Sequence, residues 1–183
     1  MSTTVLGTRL AYAGRVFRVE VDRVRIEPHG AELDMEIVRH SGSVVLVPMP
    51  SPESLVLVRQ YRHAIARWIW ELPAGRMEAG EQEEAAAKRE CEEEIGFSPE
   101  RLERLAELYP TPGFCDERMV FYRASDLRAP AEAPIQDPDE HLEPVAMSLT
   151  EVGALLESGE IVDMKTITGL WLIGVSTRPP AGR

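Results

Sequence analysis

The chain has 183 residues and a formal net charge of −11 at pH 7, and 44% of its residues are hydrophobic. That length supports one domain with an extension and a sizeable core. An acidic chain without a basic run is unsuited to grasping nucleic acid through phosphates, while small phosphorylated ligands stay open to it, because local arginines and metal ions can dominate the field inside a site.

From the N-terminus, Val16 to Val24 reads VFRVEVDRV and Leu33 to Val38 reads LDMEIV. Both alternate apolar and polar residues as half-buried strands do, and the turn residues Pro28, His29 and Gly30 between them predict an antiparallel hairpin. Ser43 to Val47 (SVVLV) and Leu55 to Val58 (LVLV) are denser apolar runs, expected as strands buried on both faces, with a Pro/Ser loop at Pro48 to Ser54 between them. Trp68 to Leu72 reads as a short strand ending at Pro73, with Trp68 and Trp70 as core or interface residues, because large aromatics usually bury. Gln82 to Ile95 is a helix, favoured by Ala85, Ala86 and Ala87 and stopped by Gly96.

Strands are expected at Leu105 to Tyr109 and Arg118 to Ala124, flanking the loop YPTPGFCDE. Ala129 to Asp139 reads as a Pro- and Ala-rich loop, and Val145 to Ser148 as a last strand. Ser148 and Glu151 form a capping-box pattern opening a helix to about Ser158. Ile167 to Val175 reads as a final helix, and the tail from Ser176 as frayed. Strands around one strong helix with another at the end predict an α/β/α sandwich with a mixed sheet, preceded by an N-terminal antiparallel β extension. The expected partition is residues 1–40 for the extension, 41–176 for the main domain and 177–183 for a flexible tail.

Cys91 and Cys115 provide neither a disulfide framework nor zinc spacing, and none of the four histidines has ligand spacing. The N-terminus lacks a long apolar signal region, and no stretch reaches the ~18 apolar residues of a transmembrane helix. A cytoplasmic protein with no membrane partner is the expectation.

The most informative stretch runs from Gly75 to Phe97, GRMEAGEQEEAAAKRECEEEIGF. On a helix, Glu93 and Glu94 both lie beside Glu90, and three like charges this close destabilise it. A hard divalent cation reverses that penalty, since Mg²⁺ and Mn²⁺ prefer oxygen ligands. The turn-like Leu72-Pro73-Ala74-Gly75 can bring a backbone carbonyl to the same ion.

This stretch resembles the Nudix hydrolase box, G-x5-E-x7-R-E-U-x-E-E-x-G-U, with U a bulky apolar residue. Gly75, Glu81, Arg89, Glu90, Glu93, Glu94 and Gly96 fill the literal positions, Phe97 fills the last apolar one, and Cys91 stands where Leu, Ile or Val is more usual. The segments Val58-Arg59-Gln60-Tyr61-Arg62, Trp70-Glu71-Leu72-Pro73-Ala74-Gly75 and Pro112-Gly113-Phe114-Cys115-Asp116-Glu117 resemble the ADP-ribose pyrophosphatase branch of that family, and Asp139-Glu140-His141-Leu142-Glu143 resembles its acidic catalytic loop.

The resemblance implies a Mg²⁺-dependent pyrophosphohydrolase, with Mn²⁺ as a possible substitute, that cleaves the diphosphate of ADP-ribose to AMP and ribose 5-phosphate. It implies Glu90, Glu94 and the Ala74 carbonyl as metal ligands, Glu93 as a further ligand or water-holder, and Arg89 as a group that orients carboxylates. Arg62, Arg59 and Glu71 fall on the substrate side, Gly113 and Phe114 shape a ribose pocket, and Glu140 or a box glutamate is the general base. It also implies a homodimer in which the N-terminal region helps hold adenine. Two other readings stand beside it: the same chemistry on a GDP-sugar, NADH or another dinucleotide, and a Nudix domain that binds nucleotide without catalysis.

Overall fold

The N-terminal strands pair with one another. In the computed structural model, which describes residues 2–131 and 142–176, β1 (Ser2–Ala13), β2 (Arg18–Glu27) and β3 (Ala31–Arg39) form an antiparallel sheet in the order β1-β2-β3. The predicted hairpin is β2–β3, and Gly30 takes the left-handed φ of 67° that its turn requires. β1 was not anticipated. All of its residues are exposed, and its pairing with β2 is irregular between Val5 and Gly7 and between Leu10 and Tyr12. The ladder to β2 makes it a strand, and its own sequence carries no clean alternation.

Contacts divide the chain into two compact units. The first holds the residues up to Gly42 together with Leu108–Met119. Within it the segment after Thr111 is stitched to β3: Val38 N–H donates to the Phe114 carbonyl, and Asp116 N–H donates to the Val38 carbonyl. Arg39 reaches Glu20, Asp22 and Asp116 at 2.8, 2.9 and 3.3 Å.

The second unit holds Ser43–Glu107 and the described residues from Val120 onward. Its elements are β4 (Ser43–Pro48), β5 (Ser54–Arg62), β6 (Arg67–Glu71), β7 (Ala74–Arg76), α1 (Glu83–Ile95), β8 (Ser98–Leu108), β9 (Met119–Arg128), β10 (Leu142–Ser148), α2 (Leu149–Ser158) and α3 (Met164–Leu172). They make a four-stranded sheet, β7-β4-β9-β8, and a three-stranded sheet, β10-β5-β6.

β4 is buried at every position. Successive side chains of a strand point to opposite faces, and here each face has a helix. Val44 and Leu46 of β4 join Val120, Tyr122 and Ala124 of β9 and Ala86, Ala87, Cys91 and Ile95 of α1 in one core cluster. On the other face, Val47 and Phe121 lie against α3, close enough that a Cβ on Gly169 would stand 3.4 and 3.6 Å from them. This is the α/β/α layering. Burial among apolar groups, the largest influence, pushes the Cys91 thiol up to about 12, so it packs as a small hydrophobe.

Helix ends follow local chemistry. Gly96 stops α1 at a φ of 71°, and the Ser148–Glu151 capping box opens α2. α3 begins at Met164, ahead of the expected Ile167, because the Asp163 carboxylate accepts the Thr166 N–H as an N-cap. Trp68, expected in the core or at an interface, is 45% exposed, and Trp171 on α3 is 65% exposed. No helix of the described residues is long and apolar enough to cross a membrane.

Gly169 sets how closely α3 approaches the sheet, since a Cβ there would lie 2.4 Å from Leu72 Cδ1. Replacing a helical glycine by alanine gains about 1 kcal/mol of propensity, while overpacking a filled core costs about 1–3 kcal/mol. Leu72 is buried and has little room to yield, so overpacking wins. Gly169→Ala is expected to destabilise the fold by about 1 kcal/mol, read as a lower urea midpoint at unchanged slope.

Candidate active site

α1 carries six glutamates among its 13 residues. Its Arg89 is the hub that gathers them. The guanidinium grips Glu81 with Nε at 2.9 Å and Nη2 at 3.0 Å. Its Nη1 donates to Glu90 at 2.7 Å and to Glu93 at 2.9 Å, and Nη2 also reaches the Arg76 carbonyl at 3.0 Å. Hydrogen bonding to Glu81, and then the charge of Glu90 and hydrogen bonds to Glu90 and Glu93, hold Arg89 well above the ordinary arginine value. The same contact, first among its influences, holds Glu81 below the usual carboxylate range. Glu81 also accepts the Glu78 N–H at 2.9 Å, which fixes the turn entering α1.

β7 supplies the opposite wall. Ala74 N–H donates to Glu94 at 3.0 Å. Gly75 lies so close to Glu90 that a Cβ would stand 2.0–2.2 Å from its carboxylate atoms. The missing side chain of Gly75 is thus the space the Glu90 carboxylate fills. Glu90 and Glu94 are 7% and 5% exposed, and burying a carboxylate is costly unless charge or hydrogen bonds compensate.

A second network abuts the first. Glu71, at the end of β6, is only 1% exposed. Arg62, at the end of β5, donates Nε to Glu71 Oε1 at 2.5 Å and Nη2 to Oε2 at 2.7 Å. Lys165 of α3 also donates to Glu71 Oε2, and to Asp163 Oδ2 at 2.9 Å. Burial pushes the Glu71 carboxyl up, but the Arg62 hydrogen bonds and the Lys165 charge outweigh it and leave it below the usual range. Arg62 is raised, chiefly by Glu71, with Glu94 and Asp163 adding to the negative field around it.

The second unit therefore brings together Arg62, Glu71, Ala74, Arg89, Glu90, Glu93 and Glu94. Arg59 turns to the other side of the β5–β6 hairpin, where its guanidinium carbon lies 5.9 and 5.8 Å from the ring centres of Trp68 and Trp70. Gly113 and Phe114 belong to the first unit, where Phe114 is 57% exposed. Glu140 lies outside the described residues. Sequence reasoning missed Lys165, Asp163 and Thr166. The one available signal was the Asp163-x-x-Thr166 cap pattern, because Lys165 meets Glu71 from 94 positions along the chain.

The donor set suits a hard divalent cation: carboxylates on one helix face, opposed by backbone at Ala74 and Gly75. Among the described residues no three His, Cys, Asp or Glu side chains converge as a ready ligand group. Glu90 and Glu93 are instead drawn to Arg89, which stands as their counter-charge.

The fold is an α/β/α sandwich bearing a carboxylate-rich helix against a glycine-containing strand end, and comparison with known proteins gives the family. A family model describing the NUDIX domain matches residues 39–168. The chain is 36% identical over 160 residues to the methanol dehydrogenase activator of Bacillus methanolicus, an alignment covering 87% of this chain and 86% of that protein. It is 35% identical over 155 residues to the ADP-ribose pyrophosphatase of Bacillus subtilis (strain 168), covering 85% and 83%. A solved structure described as the crystal structure of ADP compounds hydrolase matches with a TM-score of 0.81 at 25% identity, covering 94% of this chain and 92% of that one. The chain belongs to the Nudix hydrolase family, whose members use divalent metals.

The Gly75–Glu90 packing makes a prediction. Gly75→Ala forces the Glu90 carboxylate out of its place while touching little of the apolar core. Turnover is expected to fall by ~10-fold or more, as for a misplaced group at a reacting centre, with a loss of stability under about 1.5 kcal/mol. Steady-state kinetics and a denaturant titration of the same preparation check both halves.

Proposed function

We propose that the chain is a Mg²⁺-dependent pyrophosphohydrolase of nucleoside diphosphate sugars, with ADP-ribose as its substrate and AMP and ribose 5-phosphate as products. The observation that carries this reading is the face of α1, where Arg89 and β7 hold Glu90, Glu93 and Glu94 beside the Arg62–Glu71 pair. The relatives named for ADP-ribose and ADP compounds support the substrate class.

In this reading Glu90, Glu94 and the Ala74 carbonyl hold the cation, with Glu93 as a further ligand or as the group that holds the attacking water. A bound divalent cation neutralises phosphate oxygens and polarises phosphorus toward water; Mn²⁺ serves the same chemistry. Arg89 orients the carboxylates and touches no substrate. Arg62 meets the diphosphate, for which a planar fork is suited. Glu71 stands on the substrate side, where it is buried and holds Arg62. Arg59 stands on the substrate side, with its guanidinium over Trp68 and Trp70. Gly113 and Phe114 shape the ribose pocket. Glu140 takes the proton of the attacking water, with a box glutamate as the rival base.

We further propose a homodimer in which residues 1–40, an extension to the 41–176 domain, form part of the interface. The fully exposed β1, with Val5, Leu10 and Tyr12 each more than half exposed, supports this. Light scattering at micromolar concentration is expected to give twice the 20.4 kDa chain mass; a monomer mass overturns the interface.

Glu93→Gln and Glu94→Gln are each expected to lower kcat by ~10²-fold or more, as loss of an electrostatic or metal-holding group does. Glu140→Gln is expected to lower kcat at little change in KM, the signature of an interaction made in the transition state. Full activity in that variant moves the base to α1. Across a nucleotide panel, kcat/KM for ADP-ribose is expected to exceed that for GDP-mannose, NADH and diadenosine polyphosphates by ~10-fold or more. Equal or better turnover of one of those three overturns the substrate and keeps the hydrolase, and binding without turnover of any leaves the non-catalytic reading.

A further inference from the structure

We propose that Lys165 is a positioning residue for Arg62. Acting through Glu71 and Asp163, it cancels the negative charge behind Arg62, so that this guanidinium is fixed in place yet still attracts an anionic substrate. The inference rests on the reading of Arg62 as the diphosphate contact and adds a residue to that site.

Arg62 cannot hold itself. Its Nε and Nη2 are committed to Glu71, and among the described residues Nη1 makes no hydrogen bond. Its side chain is 42% exposed, so Nη1 is the nitrogen left to meet a ligand. Glu71, by contrast, is a buried anion that one bidentate arginine alone would neutralise by giving up its own charge to the pair. Two further carboxylates, Glu94 and Asp163, add to the negative field at Arg62. A diphosphate approaching such a cluster would meet net repulsion.

Lys165 removes it. Its side chain is 10% exposed, and its ammonium is engaged by both Glu71 Oε2 and Asp163 Oδ2. Arg62 and Lys165 then balance Glu71 and Asp163. The ammonium is itself anchored. Asp163 Oδ2 takes the Thr166 N–H at 2.9 Å and the Thr166 hydroxyl at 2.6 Å. Thr166 Oγ1 in turn accepts the Leu72 N–H at 2.8 Å. Thr166 is fully buried. The start of α3 is thus locked to the residue after Glu71, and Lys165 cannot drift from the carboxylate it serves.

The test uses the full chain and measures KM and kcat for ADP-ribose. Lys165→Gln keeps a hydrogen-bonding side chain but removes the charge, and it is expected to raise KM by ~10-fold with kcat within about 2-fold, since uniform binding is lost. Lys165→Arg is expected to stay near wild type. The deciding variant is Lys165→Gln/Asp163→Asn. Asparagine still caps α3, and the cluster returns to neutrality, so KM is expected to recover to within about 3-fold of wild type. An unchanged KM in Lys165→Gln overturns the proposal, as does a double variant no better than the single one, which would make the role one of packing. Arg62→Met separates the two readings. If it leaves KM unchanged, Arg62 is not the diphosphate contact. If it raises KM and Lys165→Gln does not, only the role of Lys165 fails. Should Lys165→Gln fold poorly, Asp163→Asn alone decides: excess positive charge is expected to lower KM, and a raised KM overturns the proposal.

Discussion

One guanidinium makes the box helix possible. Six of the 13 residues of α1 are glutamates, and Glu92, Glu93 and Glu94 crowd its C-terminal turns with no basic residue in the last turn. That is the wrong way round for the helix dipole, which favours cations there, and neighbouring like charges add to the penalty. Arg89 offsets it by bonding Glu81, Glu90 and Glu93 at once and tying the helix to the Arg76 carbonyl. Burial of Ala86, Ala87, Cys91 and Ile95 against the sheet supplies the rest. A helix that breaks local rules this thoroughly, and is held by one cation and a buried face, is what a functional site looks like in a sequence.

The strand-end segment Glu71–Arg76 joins the two charged networks, and each of its residues has a task. Glu71 holds Arg62 and Lys165. Leu72 N–H bonds Thr166 of α3, and the Pro73 carbonyl accepts Leu46 N–H from the central strand. Ala74 N–H bonds Glu94, Gly75 makes room for Glu90, and the Arg76 carbonyl accepts from Arg89. Six consecutive residues thus fasten β4, α1 and α3 to one another. A proline within this run adds stiffness without loss, since a proline has no N–H to leave unpaired. Preorganisation of this kind places charged groups before a substrate arrives, so little reorganisation is left for the reaction itself.

What could be read from the chain follows from where the information lies. The buried strands β4 and β5 announced themselves as dense apolar runs, and α1 by its spacing, because local pattern and tertiary role agree there. Ser148 and Glu151 showed the start of α2 for the same reason. β1 was illegible because its strand state comes from pairing with β2 and from nothing in its own exposed residues. At the site, the carboxylates and Gly75 were legible as a fixed spacing. Glu71 was marked as a substrate-side group, and its bonds to Arg62 and Lys165 were not legible in the sequence. Lys165 carries no sequence signal at all, since a lone lysine between Met164 and Thr166 is unremarked until α3 docks on β6.

In the proposed reading, Arg89 and a metal ion answer the same electrostatic problem. Carboxylates as buried as Glu90 and Glu94 need charge or hydrogen bonds to compensate for lost water, which Arg89 gives to Glu90 and the Ala74 N–H to Glu94. An arginine serves because it remains charged at any pH the protein meets. It takes one oxygen from Glu90 and one from Glu93 through a single nitrogen, Nη1, and spends its other bonds on Glu81 and a backbone carbonyl. A lysine would concentrate its charge at one point and could not reach Glu81, Glu90, Glu93 and Arg76 in fixed directions together. The grip is therefore strong on Glu81, where both oxygens are engaged, and lighter on the two α1 carboxylates, which is the order expected if Glu81 is structural and the α1 carboxylates must be released to a ligand.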